Sequence, residues 1–294
     1  MESLCILLAG AIDYAGLFPP AKLDMASAVR NYGGYRRSEH GWALGRFIVP
    51  VSRLPEFEKA KEKLPERDAS RWRLSALVGT IGQSDVFDVR AFNDRQELTG
   101  ALIETLELKA SSANEITDAA KMIHPEMTTC VEIPIAEDPK PLIVAIRDSG
   151  LRAKVRTGGV TRDAFPTAAA LARFIHHCAI AGVPFKATAG LHHPLRSTYR
   201  LTYELDSPKA MMYGFLNVLV ASGVAKAGGA VEDIAAALEE QSPSAFRFEE
   251  SGCSWGSYQL PVSSFTVLRG EFAISFGSCS FTEPIQDLQS MGLL

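Results

Sequence analysis

The sequence predicts an α/β fold, a (β/α)₈ TIM barrel, from three observations. The chain has 294 residues, which is long for an ordinary domain but suits one barrel that carries an insertion. Short apolar segments alternate with longer amphipathic ones, which is typical of a parallel sheet covered by helices. Eight segments qualify as strands, the number that closes such a barrel: Leu4–Ile12, Arg46–Val51, Leu74–Gly79, Leu102–Lys109, Thr128–Ile135, Leu151–Arg156, Val183–Thr188 and Phe272–Phe276.

Helical patterns fill the gaps between these strands. Pro55–Leu64 places apolar residues at spacings of three and four, and Ala164–Ala181 is apolar and rich in alanine. Gly182 follows the second segment directly, as a glycine that ends a helix does.

The connection between predicted strands seven and eight is too long for one crossover helix. Residues 194–271 are expected to hold two helices, Pro208–Ala225 and Val231–Glu240, and then the irregular, glycine- and aromatic-rich segment Phe246–Arg269. We expect a single domain over residues 1–294, with this insertion acting as a lid or as a contact in a homo-oligomer. A small separate lobe is the alternative.

Composition narrows the class of partner. The net charge is −4 and charges of both signs are interspersed, so neither nucleic acid nor another polyanion is an expected partner.

No apolar run reaches the ~20 residues that a membrane span needs, and the first ten residues lack the basic start of a signal peptide. The cysteines are scattered, odd in number and without CxxC spacing, which favours a reducing, cytoplasmic location and no thiolate zinc site: Cys5, Cys130, Cys178, Cys253 and Cys279.

Ionisable residues lie at or near the ends of five predicted strands. A charge that points into a barrel is unfavourable unless it lies at the solvent-facing mouth. The side-chain period of two puts Glu107 with Lys109, and Lys154 with Arg156, on one face of each strand. If that face is inward, several charges converge and shift each other's pKa values, as in functional sites; taken singly, each could be a solvated strand end. The candidates are Asp13, Glu107, Lys109, Glu132, Lys154, Arg156, Lys186, His192 and His193.

Loops of small residues follow the last three predicted strands. Such loops expose backbone N–H groups, and in barrels those after strands seven and eight commonly hold a phosphate. We therefore predict an anion site at these residues: Gly158, Gly159, Ala189, Gly190, Gly277 and Ser278.

Three of these segments carry a more specific pattern. Ala153–Gly158 reads AKVRTG, Phe185–Gly190 reads FKATAG, and Phe276–Ser280 reads FGSCS. In this order they resemble the last three strands of the deoxyribose-phosphate aldolase family of class I, Schiff-base-forming aldolases. Shorter matches from Ile12–Tyr14 onward extend the resemblance over nearly the whole chain except the insertion.

The resemblance implies a role for each matched residue. Lys154 would be the nucleophile that condenses with a small-molecule carbonyl substrate, with no cofactor or metal. Lys186 would lie beside it and lower its pKa by like-charge repulsion, which leaves a neutral amine near pH 7. Glu107 stands where the family has a catalytic aspartate and would move protons through a bound water. Asp13, Glu132, His192 and the glycine loops would bind the substrate.

The sequence also departs from the family pattern. Glutamate replaces aspartate at position 107, and Lys109 and Arg156 add charges. The substrate is therefore expected to differ from the family's own, and Arg156 suits a carboxylate because its planar fork binds two oxygens at once.

Two other functions are compatible with these residues. Asp13, Glu132, His192 and His193 could form the metal site of a barrel hydrolase, although adjacent histidines on an extended strand point to opposite faces. Alternatively, the chain could be a non-catalytic barrel used for binding or assembly.

Overall fold

Eight parallel strands form a closed barrel, which confirms the predicted (β/α)₈ architecture. The computed structural model describes residues 2–64, 71–79 and 81–294. The barrel strands, β1 to β8 in chain order, each pair with the next, and β8 closes the ring by pairing with β1. Their bounds are Ile12–Tyr14, Leu44–Pro50, Trp72–Leu77, Ala101–Lys109, Thr128–Glu132, Arg152–Arg156, Phe185–Thr188 and Ala273–Ser278.

The α-helices of the described residues, α1 to α12 in chain order, connect these strands or lie within the insertion. Helix α8 begins after Thr167, whose hydroxyl accepts a hydrogen bond from the N–H of Ala170, and ends at Gly182 in the left-handed conformation, as predicted. The helices are Glu2–Leu8, Met25–Arg36, Leu54–Glu62, Gln83–Asp94, Gln96–Thr99, Ala113–Met122, Lys140–Asp148, Ala168–Ala181, Phe215–Lys226, Val231–Glu239, Val262–Glu271 and Thr282–Ser290.

The core lies between the outer face of the barrel and these helices. Aromatic side chains fill it on one side, where Tyr32 of α2 packs between Phe47 of β2 and Trp72 of β3. On the opposite side Phe185 of β7 meets Phe174 of α8 edge to face, with ring centroids 5.4 Å apart. Apolar side chains occupy the outer face of each strand. Because alternate residues of a strand face opposite sides, the polar side chains between them point into the barrel interior.

The amino-terminal segment differs from the prediction. Leu4–Ile12 was expected to be the first strand, but Glu2–Leu8 is helical and the strand is only Ile12–Tyr14. Leu4, Leu7 and Leu8 are buried at the spacing of one helix face, and Gly10 turns the chain with a φ of +59°. The consequence matters for the site, since Asp13 lies inside β1 instead of following it.

The long connection between β7 and β8 is more regular than the sequence indicated. Ser197–Arg200 and Lys209–Met212 form an antiparallel hairpin, so the helix predicted from Pro208 begins only at Phe215. A side chain at Gly214 would collide with the backbone of Pro194 and Leu195, which fixes the turn into α9.

The rest of this connection was predicted only in part. Helix α10, Val231–Glu239, matches the prediction. The segment expected to be irregular is a three-stranded antiparallel sheet, formed by Arg247–Glu249, Gly252–Trp255 and Tyr258–Pro261, followed by α11. Its apolar residues Phe246, Cys253 and Leu260 belong to the same continuous core as the barrel.

The structure also bears on membrane insertion. Within residues 2–64, 71–79 and 81–294, no helix has the length and apolar character needed to cross a bilayer.

Candidate active site

A cavity of about 230 Å³ opens at the carboxyl ends of the strands, the end where the active sites of (β/α)₈ enzymes lie. Glu107 of β4 and Lys154 of β6 form its charged base. The remaining wall contains apolar residues and the small-residue loops, namely Ala15, Phe18, Pro19, Pro20, Ile48, Leu77, Arg156, Gly159, Val160, Thr188, Ala189, Gly190, His192, Gly277 and Cys279.

The two predicted lysines meet through one carboxylate. Lys154 and Lys186 are directly paired in register on β6 and β7. Nζ of Lys186 is 2.6 Å from Oε1 of Glu107, and Nζ of Lys154 is 2.8 Å from Oε2 of the same side chain. All three side chains are at most 4% exposed. The predicted convergence of both amines on the acid at position 107 is therefore present.

Each lysine has a second carboxylate of its own. Lys186 reaches Oδ2 of Asp13 at 2.6 Å, toward the amino end of the barrel. Lys154 reaches Oε2 of Glu132 at 2.9 Å, nearer the mouth. The site is thus a chain of alternating charges along the barrel axis, and only Lys154 and Glu107 of this chain line the mouth cavity.

Two buried serines that were not predicted from the sequence hydrogen-bond to the acids of this chain of charges. Ser75 of β3 donates a hydrogen bond of 2.5 Å to Oε1 of Glu107, and Ser275 of β8 donates one of 2.8 Å to Oδ2 of Asp13. The backbone N–H of Arg46 donates to the other oxygen of Asp13. A polar residue within an otherwise apolar strand was the available signal, because it marks an inward-facing position.

The carboxylates, and not the second lysine, dominate the protonation of Lys154. Burial lowers the pKa of Lys154, but Glu107 and Glu132 raise it by more, so that it lies above its ordinary value of 10.5. Lys186 does lower this pKa, as predicted, but its effect is smaller. The expectation of a neutral Lys154 amine near pH 7 in the free protein is wrong.

The pKa values of the acids shift in the opposite direction to that of Lys154. Burial would raise the pKa of Glu107, but the ammonium groups of Lys154 and Lys186 hold it well below its usual range. The pKa of Glu132 is also lowered on balance, by Lys154 and then Arg156, against its burial. In the free protein, Lys186, Glu107, Lys154 and Glu132 are therefore ionised groups of alternating sign.

Lys109 and Arg156 lie at the rim of the barrel, not in its interior. They are 59% and 46% exposed, and both approach Oε1 of Glu132, at 3.8 Å and 3.1 Å. Glu107 and Lys109 share one face of β4, and Lys154 and Arg156 share one face of β6, as predicted. Glu107 and Lys154 lie two residues deeper in the barrel. Lys109 does not line the cavity, because β4 ends there and its side chain extends into solvent; Arg156 does line it.

The small-residue loops lie beside Lys154 as predicted. Thr157 ties the loops after β6 and β7 together by donating to the carbonyl of Ala189 at 2.5 Å. Gly190, with a φ of +76°, packs directly on Gly158. Within the described residues, the backbone N–H groups of Gly159 and Gly190 donate to no protein acceptor. Gly277 and Ser278, however, belong to β8 itself and not to a loop.

The two histidines separate at the mouth. His192 is buried, with Nδ1 3.3 Å from Oγ of Ser278, and burial lowers its pKa to about 4, so the ring is neutral at pH 7. His193 turns away, with Nδ1 2.6 Å from Asp287 and its ring stacked on Tyr199.

The predicted metal-ligand set does not come together. Asp13 and Glu132 are engaged by Lys186 and Lys154, whereas His192 contacts Ser278 and His193 contacts Asp287. Throughout the part of the chain that the structure describes, no group of three or more His, Cys, Asp or Glu side chains is arranged to hold a metal ion.

Comparison with known proteins identifies no family for this chain. No protein-family model matches the chain, and no curated protein is significantly similar to it in sequence.

Proposed function

We propose that the protein is a class I aldolase-like lyase, which makes or breaks a carbon–carbon bond through an imine between Lys154 and a small carbonyl substrate. The observation that carries this proposal is the placement of Lys154. It is the lysine that lines the mouth cavity, it is almost fully buried, and two carboxylates lie within 2.9 Å of its amine. A buried amine with acids beside it has both the nucleophile and the proton carriers that imine formation requires.

The first step is proton transfer from Lys154. Its raised pKa means that the ammonium form must give up a proton before it attacks, and Glu132, which lies nearer the mouth than Glu107, accepts this proton. The neutral amine then adds to the carbonyl carbon, and a proton passes from the added nitrogen to the carbonyl oxygen, which becomes a hydroxyl group. Glu132 returns its proton to that hydroxyl, which leaves as water while the nitrogen lone pair forms the C=N bond, and the protonated imine remains.

Carbon–carbon cleavage then needs a base near the imine, and Glu107 is placed for it. Glu107 takes the proton from the hydroxyl group β to the imine carbon, and the electrons of the breaking bond move to the imine nitrogen. An aldehyde leaves and a neutral enamine remains. Glu107 then has only one cation beside it, Lys186, so its pKa rises and it can hold the proton. Protonation of the enamine carbon and addition of water return the free lysine.

The surroundings of Lys154 favour a substrate with an anionic group. Arg156 is at the rim of the cavity, and its wall includes Gly159 and Gly190, whose backbone N–H groups have no acceptor among the described residues. A guanidinium fork and backbone donors suit a carboxylate or a phosphate. We therefore propose a small carboxylated or phosphorylated carbonyl compound.

Deuterium exchange tests the proposal without knowledge of the natural substrate. Enamine formation allows the protons α to a carbonyl to exchange with solvent. In D₂O containing EDTA, the protein should therefore replace the methyl protons of pyruvate or acetone with deuterium, and NMR measures the rate of this exchange. Lys154→Arg keeps the charge but cannot form an imine, and exchange should fall to the rate without protein. Faster exchange for pyruvate than for acetone would support the anionic substrate. Equal exchange by the wild type and Lys154→Arg, or no exchange of either probe, would contradict the proposal.

A further inference from the structure

A second cavity, of about 300 Å³, lies at the opposite end of the barrel. Four arginines line it from the amino ends of the strands and from the end of α11: Arg46, Arg73, Arg152 and Arg269. We call this space the floor cavity. Its volume is at the lower limit of small-ligand pockets, and it is separated from the mouth cavity by the buried charges of Asp13 and Lys186, which form its inner wall.

The acids around the floor cavity do not balance these arginines. Arg46 and Arg73 share a single carboxylate, that of Glu104, at 3.2 Å and 2.9 Å. Asp13 also faces the cavity, but its oxygens are taken up by Lys186, Ser275 and a backbone N–H. Among the described residues, this end of the barrel therefore carries an excess of positive charge.

Among the described residues, the other two arginines have no acidic side chain in ion-pair contact. In residues 2–64, 71–79 and 81–294, the side chain of Arg152 makes no hydrogen bond or ion pair, and that of Arg269 donates only to the backbone carbonyls of Ala273 and Ala9. Burial lowers the pKa of Arg269 to about 10, and the opposing effect of the Asp13 carboxylate is too small to offset it. Such a group is unfavourable until an anion pairs with it.

Two buried N–H donors beside the floor cavity also lack a hydrogen-bond acceptor among the described residues. The Nε–H groups of Arg46 and Arg269 are buried, and neither finds an acceptor among the described residues. Most buried donors in proteins are paired, and these two belong to side chains that line one cavity. Oxygen acceptors in that cavity would satisfy both donors and neutralise the excess charge together.

We propose that the floor cavity binds a small tetrahedral oxyanion, either inorganic phosphate or the phosphate group of a small metabolite. Several guanidinium groups around one space suit phosphate, because each fork can donate two parallel hydrogen bonds to its oxygens. The floor of a (β/α)₈ barrel ordinarily serves stability and not chemistry, so this site is separate from the imine site and does not depend on its activity.

Isothermal titration with inorganic phosphate, at fixed ionic strength and with chloride as the competing anion, tests the proposal. We expect one phosphate per chain for the wild type. Arg152→Gln, which removes a partly buried charge that has no partner among the described residues, should weaken binding about tenfold or more. Arg247→Gln, on the exposed three-stranded sheet, is the matched control and should bind as the wild type does. Should Arg152→Gln not fold, Arg73→Gln, whose side chain is exposed, takes its place.

Titrations of the variants locate the bound phosphate, and a second ligand identifies its source. Loss of binding in Arg156→Gln with no change in Arg152→Gln would place the phosphate at the mouth and overturn the proposal, as would no binding to the wild type. A second titration with glycerol 3-phosphate distinguishes the two sources. Tighter binding than inorganic phosphate would identify a phosphorylated metabolite as the ligand, and weaker binding would identify phosphate itself.

Discussion

Glu107 bridges two amines because its side chain is long enough to present one oxygen to each. Oε1 meets Lys186 and Oε2 meets Lys154, at 2.6 Å and 2.8 Å. Glu107 is thus part of an interaction that extends to Asp13 and Glu132. Consequently, the charge state of Lys154 is set by three side chains on other strands, and changing any one of them should shift the pH at which the amine reacts.

Glu132→Gln tests this control of the lysine. The carboxylate of Glu132 raises the pKa of Lys154, and only the neutral amine attacks a carbonyl, so imine formation by the wild type should increase as the pH rises toward that pKa. Removing the carboxylate lowers the pKa of Lys154, so the rate profile should move to lower pH. The measurement is the rate of deuterium exchange against pH. Glu104→Gln, on the same barrel but paired with arginines at its floor, is the control. A profile that stays in place or moves to higher pH would contradict this assignment.

At the scale of single elements, the sequence predicted the barrel strands because their apolar runs and their spacing are set by burial on both faces. It could not predict α1, since seven apolar and small residues fit a buried strand as well as a buried helix. It also missed the hairpin from Ser197 to Met212, because Pro208 is as suitable for the first turn of a helix as for the start of a strand.

Asn217 holds the elements of the insertion together. It is fully buried in α9; its Nδ2 donates to the carbonyls of Ala237 and Glu240 at the end of α10, and its Oδ1 accepts from the N–H of Arg196 before the hairpin. Asn217→Ala leaves these three backbone groups without partners and should lower the free energy of unfolding by about 2 kcal/mol or more.

Urea denaturation measures this effect. Ser222→Ala in the same buried helix is the control, because the Ser222 hydroxyl only donates to the carbonyl four residues earlier, and its loss should change stability by about 0.5 kcal/mol or less. Equal effects of both substitutions would show that Asn217 does not join the elements.

The whole molecule is a barrel whose interior contains charges where most barrels contain apolar layers. The lysines, Glu107 and the glycine loops could be located from the sequence because β-strand periodicity and strand order determine which residues meet. The direction of the Lys154 pKa shift could not, since it depends on whether Glu107 and Glu132 lie nearer to the amine than Lys186 does. The arginines of the floor cavity could not be grouped from the sequence, because three lie on separate strands and Arg269 lies near the end of α11.

Lys186 should contribute strongly to the stability of the barrel. Its pKa is raised above 10.5, against the effect of burial, by Asp13 and Glu107, so its contribution is fully present at pH 7 and is lost only as the pH rises through that higher pKa. Lys186→Met leaves a buried Asp13 without its cation and should lower the free energy of unfolding by about 3–5 kcal/mol. Asp13→Asn in the same chain should restore part of that loss. Additive effects of the two changes in urea denaturation would mean that the pair is not coupled.

The same substitution affects the reactive amine. Lys186 lowers the pKa of Lys154, so its removal should raise that pKa and slow imine formation near neutral pH. The variant Lys186→Met with Asp13→Asn, once shown to be folded by circular dichroism, is the one to assay. A rate profile identical to that of the wild type would refute the influence of Lys186 on Lys154.

Reductive trapping tests the imine at Lys154 most directly. The protein is incubated with pyruvate and borohydride, its intact mass is measured, and the modified residue is found by peptide mapping. We predict one added, reduced carbonyl compound per chain, attached to Lys154, and none in Lys154→Arg under the same conditions. A label spread over exposed lysines such as Lys109 and Lys121, with Lys154 unmodified, would contradict the account.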